Sequence, residues 1–405
     1  LSFLREQTEE GILKPVVTRD IYSMINGVPM GTQPVSMYPH WTERWDGEDK
    51  TSWLWVAQKG GQGAIDISGS SYKQEGILSQ MFLSKSYPEG FVSVGVIDMQ
   101  FLTMAIGEDG TIYTRVKDSN LLFNSSNFLD RPLTSDKEGK IKVDGSMIAY
   151  APFDEHGGMV LYDKNSAQYL HIADYKNWQG YNYSGKVLPL KVEEYEYGPS
   201  DARLDNMKDY SVYFVGASLV DWGDISYMSI IKDKAGKFYM QKFKVEAYGG
   251  GSSVTKVGAS FISQSEIKGL DAVIDGASKN CFYLCRNQDK APYLFISKGE
   301  TLYFYYTDGN KLYTCAQFDS PIASIDAECF NNKYIIVGLE SGDVFILKGE
   351  DDNSDYTLKK YVIQQNKVIQ VTDAENKFVL FHEKDFGKII QVRYKWKESW
   401  NESFS

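Results

Sequence analysis

Asp351, Asn353 and Asp355 stand at alternate positions of an acidic run, the spacing with which a calcium loop presents its first oxygen ligands. The rest of such a loop is missing. Tyr356 occupies the place that needs glycine and Val362 the place of the bidentate glutamate, so the run reads as a solvated acidic turn. The four histidines, His40, His156, His171 and His382, are widely scattered and form no HExxH pair, so they read as structural or surface residues. A serine nucleophile needs a GxSxG elbow, and neither Ser68-Gly69-Ser70-Ser71 nor Gly251-Ser252-Ser253 supplies one. Gly249-Gly250-Gly251 follows no phosphate-loop pattern and reads as a connector. Glycoside cleavage needs two facing carboxylates, and acids are plentiful, but spacing alone does not say which converge. The Ser-x-Asp-x-Gly-x-x-Trp box is absent, and Glu108-Asp109-Gly110 is a plain hairpin turn. The pattern therefore implies no metal, no cofactor and no catalytic residue.

Aromatic side chains are the one enriched group with binding chemistry. Trp178, Tyr181 and Tyr183 sit among Asn177, Gln179 and Asn182, and Trp41 and Trp45 crowd a second region with Trp53 and Trp55. Flat rings beside amides can stack on a sugar or peptide and orient it by hydrogen bonds. Trp178, Tyr181, Tyr183, Trp41 and Trp45 are the candidate ligand-binding residues. Trp53 and Trp55, two apart, share one face of a strand and read as core. The same ring types are enriched at protein interfaces and in packed cores, so these readings stand side by side.

The chain has 405 residues and a net charge of -11. That acidic balance argues against a general nucleic-acid binder, which needs Lys and Arg to displace counterions. The 28 Tyr, 21 Phe and 8 Trp suit pleated, half-buried surfaces and favour an all-β protein. Cys281, Cys285, Cys315 and Cys329 lack the paired spacing of a zinc site and read as free, buried thiols, with one disulfide as the alternative. No apolar run is long enough for a membrane-spanning helix.

Stepping from residues to elements, alternating apolar strands flank turn residues along most of the chain. The hairpins run Trp53 to Ile67, Phe101 to Val116, Met159 to Ile172 and Tyr227 to Phe243. A denser group follows from Cys281 to Phe318, then hairpins at Lys333 to Lys348 and Lys377 to Tyr394. Asp326-Ala327-Glu328 and Asp373-Ala374-Glu375 each lead into a similar strand, an offset of roughly 44 to 47 residues, the period of a propeller blade. The expected fold is an all-β propeller of seven four-stranded blades, with six or eight open because the dense group divides in more than one way. Residues 49–405 would form the propeller. Residues 1–48, rich in proline, would form an extended arm, with Val35 to Tyr38 pairing with the last strand around Ile389 to Tyr394 to close the ring. The stretch from Gly180 to Trp222 reads as long loops between blades.

The lead-in Asn26-Gly27-Val28-Pro29-Met30-Gly31-Thr32-Gln33-Pro34, together with the segments Pro292 to Phe318 and Ile325 to Leu347, resembles the PKD-like family lipoproteins of Bacteroidetes. The resemblance implies a C-terminal propeller behind an Ig-like module, with that module and a lipidated cysteine upstream of Leu1. It implies an outward-facing outer-membrane protein, accessory to a Sus-type importer built from a TonB-dependent barrel and its substrate-binding lipoprotein. No catalytic residue comes with it. The functional expectation is thus a non-enzymatic surface lipoprotein that binds glycan or peptide or docks to the importer. The alternative is a propeller hydrolase or lyase for glycans, acting in the central pocket. An intracellular WD40 or Kelch scaffold ranks last, since the Gly-His and Trp-Asp signatures and recurrent double glycines are missing.

Overall fold

A computed structural model describes residues 1, 3–9, 12–42, 51–117, 127–136, 139–150, 157–176, 180, 182–221, 224–249, 256–284, 293–307, 310–327, 334–348, 379–384 and 386–393. Within them the chain is all-β apart from one short helix and three 3-10 turns. A hairpin of β1 (Phe3–Glu9) and β2 (Ile12–Thr18) leads into α1 (Ile21–Asn26). The remaining strands form successive antiparallel meanders. The first contains β3 (Pro34–Thr42), β4 (Thr51–Gln58), β5 (Ile65–Ser68) and β6 (Gln74–Ile77). The second has β7 (Ser93–Asp98), β8 (Leu102–Gly107) and β9 (Ile112–Val116). The third is β10 (Ile148–Tyr150), β11 (Gly158–Asp163), β12 (Gln168–Ala173) and β13 (Val187–Lys191). The fourth is β14 (Tyr210–Asp221), β15 (Asp224–Asp233), β16 (Phe238–Gly249) and β17 (Lys256–Glu266). The fifth is β18 (Phe282–Leu284), β19 (Tyr293–Lys298), β20 (Thr301–Tyr306) and β21 (Lys311–Gln317). The sixth is β22 (Ile322–Ala327), β23 (Tyr334–Leu339), β24 (Val344–Lys348) and β25 (Val379–Glu383).

The third and fourth meanders join through a short parallel bridge, Leu190 opposite Val257 and Lys191 opposite Gly258. Their eight strands make one sheet whose end strands, β10 and β14, also approach each other, so it nearly closes on itself.

Five apolar cores lie between consecutive meanders. Trp55 and Ala57 meet Val96 and Ala105 between the first and second. Met104 and Ile112 meet Met159 and Ile172 between the second and third. Tyr169 meets Tyr227 and Phe243 between the third and fourth. Met228 and Ile230 meet Leu294 and Ile296, and Phe295 and Phe304 meet Ile335 and Val337, at the next two junctions. Strand alternation explains this. Phe295 faces one neighbour while Leu294 and Ile296 face the other, as a period of two requires. Each fully buried aliphatic contributes roughly 1.5–3 kcal/mol, against about 0–1 for an exposed ion pair such as Lys234–Asp209. The meanders are therefore held face to face by these cores.

The first strands also follow one another: β3 lies beside β7, β10 beside β14, β14 beside β18 and β18 beside β22. The two chain ends meet at the remaining junction. Arg19 donates to the Lys384 carbonyl at 2.8 Å and its guanidinium lies 4.5 Å over the Phe386 ring. Tyr22 of α1 packs on Val56, Ile65 and Ile67, which cover the other face of the first meander.

Four expectations are revised. The hairpins at 53–67, 101–116, 159–172, 227–243 and 333–348 hold the second and third strands of their meanders, whereas β6, β7, β10, β13, β14 and β17 come from segments not read as strands. Within Gly180 to Trp222 lie β13 and most of β14 rather than loops alone. Val379–Glu383 pairs with β24 as the fourth strand of the sixth meander, so the described residues form six meanders and not seven. Val35 to Tyr38 pair with β4, with Met37 opposite Val56. They meet the C-terminal segment only through side chains, because the outward N–H and C=O of Met37 are taken by Gln391 Oε1 at 2.5 Å and Arg393 Nε at 3.1 Å. The arm thus supplies the first strand of the first meander across the expected boundary at residue 48.

Candidate ligand-binding site

Of the five aromatic candidates, Tyr183 has a described side chain. It is 3% exposed, its ring parallel to that of Tyr175 at 6.1 Å, with Lys186 Nζ 4.7 Å over its face. Tyr175 in turn stacks on Tyr248 at 4.7 Å, and the Tyr248 hydroxyl donates to the Gly157 carbonyl at 2.6 Å. This ring stack packs the third meander against the fourth. Trp41 lies near the end of β3, its backbone paired opposite Ser52. Trp45, Trp178 and Tyr181 lie outside the described residues, as do Asp351, Asn353 and Asp355.

His40 carries the densest polar network. Its Nε2 lies 3.1 Å from Asp66 Oδ1 and its Nδ1 3.0 Å from Asp98 Oδ2, and its ring is near-parallel to Trp55 at 6.1 Å. Asp98 Oδ1 also receives Lys117 Nζ at 3.0 Å and the Thr103 hydroxyl at 2.5 Å. Burial pushes the imidazole toward its neutral form, but hydrogen bonds to Asp66 and Asp98 outweigh it and raise the pKa above its ordinary value. Burial likewise pushes Asp98 up, and the His40 bond and Lys117 charge more than reverse this, holding the carboxyl well below its usual range. Farther along, Asp174 accepts the backbone N–H groups of Gln100 and Phe101 at 2.9 and 2.8 Å. Burial dominates there and moves its pKa up to about 6. The seam ties the first three meanders together. Both oxygens of Asp98 and of Asp174 are occupied by protein donors, so these acids clamp strands and do not face a reacting bond.

A cavity of about 310 Å³ opens where the first strands of the first, fifth and sixth meanders begin. Val35 of β3 forms one wall. Residues 279–283, leading into β18, form the second, and Ala323, Ser324 and Ile325 of β22 the third. The fourth wall is the C-terminal segment, through Ile390, Gln391 and Arg393. This segment, residues 386–393, carries no strand pairing. It is pinned at Met37 and packed on Gly338, where an added Cβ would lie 2.6 Å from Ile389 Cγ2 and 2.8 Å from Val392 Cγ1.

Polar groups at the mouth are held firmly. Asn280 Nδ2 donates to the carbonyls of Val273 and Ser297 at 3.1 and 2.7 Å. The Cys281 thiol donates to the Ala323 carbonyl at 3.3 Å, and burial raises its pKa, so it is a poor nucleophile. Cys315 is buried, its thiol pushed up to about 12. Neither Cys281 nor Cys315 is in a disulfide; Cys285 and Cys329 lie outside the described residues. Among the described residues the lining holds two cations, Lys279 and Arg393, and no carboxylate. Asp326 Oδ1 lies 4.0 Å from Arg393 Nη1. The arrangement can bind and orient a small group; its volume sits at the lower end of ordinary ligand pockets. Among the described residues no cluster of His, Cys, Asp and Glu is arranged to hold a metal ion, and no helix is long and apolar enough to cross a membrane.

The sequence singled out Val35, Cys281, Ile325 and the segment from Ile389 as strand or core residues, and none of the lining residues as a binding residue. They come from four distant segments, and each is locally an ordinary strand or loop residue.

No protein-family model matches the chain, and no curated protein matches it in sequence. Among solved structures it is similar to one described as the structure of U3-55K, with a TM-score of 0.43 and 10% identity over 84% of this chain and 81% of that one. A likeness that slight carries neither fold nor function to this chain.

Proposed function

We propose that this chain is a six-bladed β-propeller that binds a small ligand without transforming it, as an accessory surface lipoprotein of a Sus-type nutrient importer. The observation that carries the binding reading is the cavity among the first strands, whose described walls hold two cations and no carboxylate. Glycan hydrolysis in that pocket would want two carboxylates roughly 5–9.5 Å apart across the scissile bond. The acids that do converge, Asp66 and Asp98, each face a nitrogen of His40, and the second oxygen of Asp98 is taken by Lys117 and Thr103. The propeller reading is supported by five cores between consecutive meanders, first strands in succession and chain ends that meet. Outer-membrane location, a lipid anchor upstream, and partnership with a TonB-dependent barrel and its substrate-binding lipoprotein rest on the family resemblance.

Native affinity purification of the tagged protein from its own outer membrane tests the assignment. The barrel and its lipoprotein should co-purify in fixed ratio. Recovery of this chain alone, or from a soluble fraction, would overturn the importer role.

A further inference from the structure

We infer that the ligand of this cavity carries a carboxylate, received by Arg393 at the mouth with Lys279 as the second cation. This rests on the binding reading above and specifies what is bound. In a chain of net charge -11, a pocket whose described walls carry two cations, with Asp326 standing behind one of them, is locally poor in acid. Arg393 is held for the task. Its Nε is committed to the Met37 carbonyl at 3.1 Å, which fixes the guanidinium plane, while Asp326 stands at 4.0 Å from Nη1, the outer limit of an ion pair. A planar guanidinium that lines the cavity offers a fork that matches the two oxygens of a carboxylate. Val35 and Ile325 give the rest of the ligand apolar contact, and about 310 Å³ suits one sugar ring or one amino-acid unit beside the acid.

Two sources share this chemistry: an acidic sugar and the C-terminus of a peptide. Calorimetric titration of the full chain with two probe pairs separates them. One pair is a galacturonate trisaccharide and its neutral galactose counterpart; the other is acetyl-trialanine with a free acid or an amide end. The acid member of one pair should bind about tenfold or more tighter than its neutral partner, as expected for a charged hydrogen-bonded contact. Arg393→Gln should bring the acid down to the neutral level. Lys279→Gln should weaken it several-fold and flatten its salt dependence. Arg19→Ala loosens the same chain-end junction from outside the cavity and should keep the preference for acid. If neutral and acid members bind alike, or Arg19→Ala abolishes the preference as fully as Arg393→Gln, the carboxylate inference is overturned while ligand binding stands. If no member of either pair binds, both fall. Stronger displacement by inorganic phosphate than by acetate would overturn the carboxylate assignment alone.

Discussion

His40 shows how one residue can hold three strands. Its imidazole lies between Asp66 of β5 and Asp98 of β7, with Lys117 beyond, so removing it takes a partner from both carboxylates. Breaking such a pair costs about 3–5 kcal/mol, and His40→Gln should lower stability by that order in denaturant titration. The pH dependence has a defined sign. The folded pKa of His40 is raised, so its stabilisation is full below the ordinary imidazole value and is lost as pH rises through the folded value. Asp174, raised to about 6, also loses stabilisation as pH rises through that range. Asp98, held low, contributes above the ordinary carboxylate value and loses its contribution only in strong acid. Wild type should therefore be most stable in mildly acidic solution and weaken toward alkaline pH, and His40→Gln should flatten that slope. Tyr183 is a second residue-scale case. Buried in the ring stack, Tyr183→Ala should cost about 3–5 kcal/mol in a melt. The sequence marked Tyr183 for its ring and its amide neighbours. Those features are shared by binding loops and packed cores, and burial, which separates them, is not local.

At the scale of elements, the hairpins at 53–67, 101–116, 159–172 and 227–243 were legible because the signal for a tight antiparallel pair is contiguous. Gly342 is an example: its φ of 94 suits the Ser341-Gly342-Asp343 turn, and an added Cβ would lie 2.4 Å from the Gly387 carbonyl. The first and fourth strands were harder to read. β7 is interrupted by Gly95, and β13 carries Pro189 at its centre, a residue that argues against a strand in the sequence. Gly338 has ordinary backbone angles, yet Ile389 and Val392 press on it. Gly338→Val should displace residues 386–393 and cost about 1–3 kcal/mol from overpacking. Faster hydrogen exchange in that segment, with the other meanders unchanged, is the expected readout.

At the scale of the whole molecule, residues more than 350 positions apart in the chain meet: Arg19 with Lys384, and Met37 with Gln391 and Arg393. Contacts of that separation carry a large loop-closure cost and form late in folding. Arg19→Ala combined with Gln391→Ala should speed unfolding about tenfold or more while changing the folding rate little, measured by stopped-flow fluorescence. A matching slowdown of folding would place closure in the nucleus instead.

What the amino-acid sequence determined on its own is the all-β character, most turns and the central hairpin of each meander. All three follow from alternation and turn chemistry within about ten residues. The tertiary structure decided the partners. Among the described residues it set six meanders in place of seven, Val56 rather than the C-terminus opposite Met37, Asp66 and Asp98 around His40, and Arg393 beside Val35 at the cavity. A β-strand presents the same alternating face to every candidate neighbour. Which neighbour it takes is settled by the packing of cores and by chain closure, energies shared among segments hundreds of residues apart.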